Sequence, residues 1–296
     1  MNVYYLSLKK ETPTNDYWDY GFINDFINGE VWTPPTLPKF KKKEVNHLPK
    51  TDEAIVLIPA RHHADMILEI NKEIKNIKKL ILFLMGDEEA DFPVEDIKHD
   101  NIHIWVQNPH IGRHDKYNKI GTGYPPLCTK QYKDSEIKKE LDIFFAGQIT
   151  HKRRSELQDV MINMQDTTNY SMNFICTRGF TQGKKQEDYY VCIKSAKIAP
   201  APSGAIIPDS FRLFEALESM TIPIADQKTA SGEVMQYWDW LFAEATPFPK
   251  ITEWDRLYGL TEEILEDWEK YVHKQTAWWI NWKRNFAYKI VEQING

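Results

Sequence analysis

The sequence predicts an α/β protein built from two successive units, on three observations. Strand-like apolar runs alternate with segments of helical spacing, short turn-rich loops join them, and the pattern restarts near residue 135. The length, 296 residues, is also more than one ordinary domain needs. The expectation is two Rossmann-like domains, 1–135 and 136–296, facing each other across a cleft and closed by C-terminal helices.

In the first unit, "VYYLSL" (Val3 to Leu8) reads as a strand and "DYWDYGFINDFING" (Asp16 to Gly29) as a loop entering a short helix stopped by Gly29. "TPPTLPKFKKKEVNHLPK" is rich in proline and lysine and reads as a surface loop. Its lysines Lys39, Lys41, Lys42 and Lys43 form a solvated edge, with contact to an anionic acceptor as the other reading. "EAIVLIPA" is strand-like, and after it Met66, Ile67, Ile70, Ile74 and Ile77 keep helical spacing. "KLILFLMGDEE" is a near-continuous apolar run of the kind found in central parallel strands, and "NIHIWVQNP" is a further strand. "GTGYPP" lacks a full G-x-G-x-x-G and a following helix, so it reads as a turn.

The second unit runs strand "LDIFFAGQ", helix "THKRRSELQDVMINM", strand "YSMNFICT", helix "QEDYYVCIKSAK", strand "IAPAPSG", helix "SFRLFEALESM" and strand "TIPIAD". Leu213, Leu217 and Met220 form one stripe of the last helix, beside a face of Arg212, Glu215, Ala216 and Ser219. One or two C-terminal helices follow, with Thr261 as the expected N-cap. Their tryptophans Trp278, Trp279 and Trp282 are expected in domain packing.

Composition narrows the function classes. Acidic residues outnumber lysine plus arginine by 43 to 37, a net charge of -6, which weighs against a constitutive polyanion binder. Cys128, Cys176 and Cys192 have neither metal-ligand spacing nor the even count of a disulfide scaffold. The start "MNVYYLSLKK" is no secretory signal, and no apolar run nears the ~20 residues that span a bilayer. The expectation is a cytoplasmic protein without a membrane partner.

Two basic clusters carry the chemistry. Asp209 and Ser210 are natural N-cap types, so the helix they open presents free N–H groups and a positive dipole end. Arg212 would grip a phosphate and Glu215, one turn deeper, a ribose diol; the plain alternative is a helix-surface ion pair. The second cluster, His151, Lys152, Arg153 and Arg154, follows the strand "DIFFAG" where a helix opens. Positive charge opposes the dipole there, which points to an anionic partner for Arg153 or Arg154.

Taken together, "FFAGQITHKRRSEL", "YYVCIKSAKIAPAPSG" and "DSFRLFEALESMTIPIAD" resemble the C-terminal half of exostosin-like glycosyltransferases of family 47, over about residues 141 to 226. That resemblance implies the GT-B architecture and an inverting transfer from a nucleotide-diphosphate sugar, with a UDP-sugar as the first expectation. It places Arg153, Arg154, Ser203, Ser210, Arg212 and Glu215 at the donor, with the sugar nucleotide as co-substrate and no other cofactor. The chain departs from the family at Met220-Thr221, where Gly-Cys is usual, and at Ala-Pro-Ser-Gly, where Pro-Arg-Gly is commoner.

The N-terminal half has no comparable motif. The candidate bases are Asp87, His62 and Asp19, with Asp16, His63 and Glu88 as neighbours of the same kind; Asp87 and His62 have the better positions, at strand ends that line the crevice, and each has a plain reading as a solvated carboxylate or core histidine. No cluster makes a metal cage and no D-x-D pair is present, so no metal is expected. The acceptor stays open between a glycan and a hydroxymethylated DNA base, since phage DNA glycosyltransferases share the GT-B plan. The alternative from another class is a non-catalytic nucleotide-sugar-binding protein.

Overall fold

Lys79–Met85 is apolar on both faces, so it can be stable only with a strand on each side and cover above and below. In the computed structural model, which describes residues 1–9, 18–29, 38–126, 128–129, 137–177, 179 and 183–296, it is an inner strand of a parallel sheet. The first unit comprises Met1–Pro126 and Trp282–Gly296. Its elements are β1 (Asn2–Leu6), α1 (Gly21–Asn28), β2 (Lys41–Val45), β3 (Glu53–Pro59), α2 (Ile67–Ile74), β4 (Lys79–Met85), β5 (Ile102–Gln107) and β6 (Asn118–Ile120). They build a sheet of order β2-β1-β3-β4-β5-β6, parallel throughout. Ile70, Ile74, Ile77 and Phe92 pack with Val56, Ile58, Leu80, Leu82 and Leu84 in one core.

The second unit, Leu127–Asn281, holds β7 (Leu141–Gln148), α3 (Lys152–Thr167), β8 (Met172–Thr177), α4 (Gln186–Ser195), β9 (Ala196–Ala201), α5 (Phe211–Glu218), β10 (Ile222–Asp226), α6 (Tyr237–Phe242), β11 (Lys250–Ile251) and α7 (Leu257–Glu266). Its sheet order is β11-β10-β9-β7-β8, again all parallel. In both units the first strand lies between the second and the third. This is the doubly wound order in which chain direction across the sheet reverses at the first and third strands. Each sheet therefore has one switch point: β1/β3 in the first unit and β7/β9 in the second.

Helix α8 (Trp268–Asn295) follows α7, and its last turns, from Trp282, group with the first unit. The sequence reading keeps 136–296 together. What draws Trp282–Gly296 away is an aromatic seam: Phe286 meets Phe22, Phe26 and Trp105 at centroid distances of 5.4, 5.3 and 5.0 Å. Trp278 and Trp279 stay with the second unit, donating to Glu244 and Glu218.

Four local expectations need correction. Lys41–Val45 is a strand inside the presumed loop; it is the exposed edge of the first sheet, where lysines on both faces erase any period and discourage edge-to-edge pairing. Thr261 is not an N-cap but a buried residue within α7, its hydroxyl donating back to the Leu257 carbonyl at 2.8 Å. Ser210 does hold the N-cap position of α5, yet its hydroxyl donates to Pro202 O at 3.0 Å instead of accepting from the helix. Met220 leaves the apolar stripe: it is 50% exposed at φ 51°, the left-handed residue of a helix-ending turn in which Thr221 N–H reaches Ala216 O at 2.9 Å. A glycine at this place would adopt that conformation without strain.

Candidate functional sites

In the second unit the candidate residues Arg154 and Arg212 meet backbone at the β7/β9 switch point. Arg154, on the first turn of α3, directs Nε and Nη2 to Ser203 O, both at 3.2 Å, and Nη1 to Gln148 O at 3.1 Å. It thereby ties the exit of β9 to that of β7. His151, at the N-cap position of α3, sends Nε2 to the same Ser203 oxygen at 3.2 Å. The loop can bend this tightly because a Cβ on Gly204 would lie 2.2 Å from Asp209 O.

Helix α5 adds the second cluster. Arg212 Nε donates to Ala146 O near the end of β7 at 2.9 Å, and Nη1 to Glu215 Oε2 at 2.9 Å. Glu215 is 1% exposed, so the pair is no solvated surface bridge; Tyr189 of α4 also donates to Oε2, at 2.6 Å. Burial holds the Tyr189 phenol well above its ordinary range, so it stays a donor. The sequence reading missed Tyr189. Half of a "YY" pair, it carries no signal that separates it from the buried Tyr190.

Arg153 sits apart from this set. Its side chain is 1% exposed and grips Asp226 through Nε and Nη2, with Nη1 on Glu156. A guanidinium so enclosed by carboxylates has no edge left for a phosphate. Ser203 Oγ is buried with no hydrogen-bond partner among the described residues, and Asp209 accepts from Tyr237 at 2.8 Å.

In the first unit, the C-terminal ends of β3, β4 and β5 gather a different chemistry. Asp19, just ahead of α1, is 7% exposed, and its carboxylate accepts no hydrogen bond among the described residues. It rests over Gly86, where a Cβ would come within 2.6 Å of its Oδ2. Burial, then the neighbouring Glu88 charge, pushes Asp19 up to about 7 against the pull of Arg61. Gln107 fixes the geometry: Nε2 donates to Asp19 O at 2.8 Å while Oε1 accepts from Gly86 N at 2.7 Å. Gln107 was also missed, although a glutamine ending the apolar run "IHIWVQ" is a readable oddity.

The other candidate bases have different surroundings. Asp87 is 2% exposed and turns inward, accepting from the backbone N–H groups of Asp91 and Phe92; burial, then Asp91, raises it to about 6. His62 is half-buried and held below its usual range by burial, then by Arg61 and Lys9. His63 is enclosed, with Nδ1 on Pro59 O and Nε2 accepting from Leu8 N, both at 3.0 Å, so it stitches the first unit's own switch point. Glu88 pairs with Arg61 at 2.8 Å. Asp16 lies outside the described residues. Lys39, Lys41, Lys42 and Lys43 are exposed along and beside β2.

No protein-family model matches the chain, and no curated protein sequence matches it. The chain is similar to a solved structure described as the crystal structure of an alpha1,3-fucosyltransferase, with a TM-score of 0.43 and 10% identity over 93% of this chain and 80% of that one. The likeness to family 47 accordingly stands on the motif residues of the second unit alone. Among the described residues no three His, Cys, Asp or Glu side chains cluster as metal ligands, and no helix is long and apolar enough to cross a membrane.

Proposed function

We propose that the chain is a GT-B glycosyltransferase that moves a sugar from a nucleotide-diphosphate donor, a UDP-sugar, to an acceptor hydroxyl with inversion. One observation carries this reading. The residues of the three family-like motifs, far apart in sequence, meet at the β7/β9 switch point through the bonds from Arg154 and Arg212 to the exits of β7 and β9. Ligands of open α/β sheets bind in such crevices, at the carboxyl ends of the strands.

In this account Arg154 and Arg212 meet the diphosphate, with Ser203 and Ser210 lining its approach, and Glu215 accepts from the ribose hydroxyls. Arg153 is left out, because its charge is spent on Asp226. Asp19 is the base: it takes the proton of the acceptor hydroxyl as that oxygen bonds to the anomeric carbon, and the bond to the diphosphate breaks with its electron pair. A carboxylate with a pKa near 7 suits that work at neutral pH. Leaving-group charge is met by fixed arginines, with no metal in the scheme. The acceptor is a glycan or a hydroxymethylated DNA base.

The test is transfer of radiolabelled sugar from UDP-sugars to a glycan panel and to duplex DNA containing hydroxymethylcytosine. Label in either acceptor, lost in Asp19→Asn, supports the reading and names the acceptor class. UDP binding without transfer to any acceptor would indicate a non-catalytic binder.

A further inference from the structure

His151 carries a feature that the donor account does not use. Its Nε2 lies 3.2 Å from Ser203 O, a group that can only accept, so Nε2 bears the proton. A neutral ring then leaves Nδ1 as a bare acceptor, and Nδ1 is buried with no partner among the described residues. The Oγ of Ser203, the fully buried residue whose carbonyl Nε2 meets, is likewise unpartnered among the described residues. A buried polar atom without a partner carries a cost of about 1–3 kcal/mol and calls for an explanation.

The charges facing the ring are one-sided. From its own helix come Arg154, which shares the Ser203 oxygen, and Arg153; Lys152 is exposed. From β10, Asp226 is spent on Arg153. From the β9–α5 loop, Asp209 is engaged by Tyr237. Burial, then Arg154, accordingly drives the imidazole down to about 4, with the Ser203 carbonyl pulling the other way. An anion arriving beside Arg154 would reverse that balance. It would cancel the arginine charge at the ring and supply the acceptor that an Nδ1–H requires.

We propose that His151 is neutral in the free protein and takes up one proton when a diphosphate binds at the start of α3, its new Nδ1–H bonding the anion alongside Arg154. This deepens the donor reading and rests on it for the choice of a nucleoside diphosphate. It makes His151 a proton-linked contact for the leaving group, one that strengthens as charge builds on the diphosphate. By linkage, proton and diphosphate each raise the affinity of the site for the other.

The test is calorimetry of UDP and of inorganic pyrophosphate in HEPES, Tris and PIPES at one pH, on the full chain and on His151→Asn. The two-dimensional 15N spectrum of the imidazole, with and without ligand, gives a readout on the unmutated chain. Expected for the wild type is close to one more proton taken up than in H151N, with affinity relative to H151N falling about tenfold per pH unit wherever the free ring is neutral and the bound ring charged. Also expected is a ring that turns from the Nε2–H tautomer to imidazolium on binding. Proton uptake equal in both proteins, or a ring unchanged by saturating ligand, overturns the proposal, as does failure of both ligands to bind. Pyrophosphate bound with proton uptake, and UDP no tighter, keeps the proposal and removes the nucleotide reading.

Discussion

The two units share one strand order and differ in what they set at the strand ends. In the second, arginines Arg154 and Arg212 are braced on backbone carbonyls around the switch point. In the first, a buried carboxylate, Asp19, accepts from no donor among the described residues and is pushed up to about 7. The sheet supplies a crevice in both cases, and the exit residues decide its charge. On the proposed reading the second unit's arginines hold an anion and the first unit's carboxylate accepts a proton, the two tasks a sugar transfer needs.

The largest expected effect breaks that division from the proton side. Asp19→Asn should lower kcat by about 10²–10⁴-fold with UDP affinity unchanged, and should abolish the rise of kcat through pH 7 that ionisation of Asp19 produces. Steady-state rates from pH 5.5 to 8.5 check both. If the variant keeps the wild-type rate and profile, Asp19 is not the base.

Next comes a contrast within one pair of neighbours. Arg153→Ala strands Asp226 in the core and should destabilise the fold by about 3–5 kcal/mol in urea melts. Arg154→Ala should cost less stability, about 1–3 kcal/mol for the Ser203 and Gln148 carbonyls it leaves unmatched, but weaken UDP by about ten- to a hundredfold, the worth of a charge-assisted bond. The reverse pattern would exchange their roles.

A third expectation concerns pH and stability. Asp19 is raised when folded, so the native state binds the extra proton; that contribution is full below pH 4 and is lost as pH rises through about 7. The Tm gap between D19N and wild type should therefore widen in favour of D19N from pH 4 to 8. A gap constant across this range would show that burial does not perturb Asp19.

The smallest effect is local. Met220→Gly relieves a left-handed non-glycine residue and should add about 1 kcal/mol of stability without touching UDP affinity. Thermal melts check it, and a loss of stability would mean that the Met220 side chain makes a contact worth more than the strain.

Much of this was legible in the sequence where a single period dominates. "KLILFLM" and "DIFFAG" are strands because both faces are apolar, and Gly29 ends α1 in the left-handed conformation its residue type favours. β2 was illegible because its residues are exposed on both faces, so no alternation marks it. Thr261 has the right residue type for a cap in the wrong place, since 3₁₀ turns and α7 had already begun upstream. At the site, the arginine-rich turn was visible, but the sorting of Arg153 from Arg154 depends on Asp226, 73 residues away. The distinction of Asp19 likewise depends on Gly86 and Gln107 closing over it. Such pairings arise only when the strands align.

The most direct test of the donor site at the β7/β9 switch point is calorimetric titration of UDP into wild type, Arg154→Ala, Glu215→Ala and Asp19→Asn. The donor account predicts binding to wild type and D19N alike, with affinity lower by about tenfold or more in R154A and E215A. Unchanged affinity in both second-unit variants, or binding lost only in D19N, would contradict it.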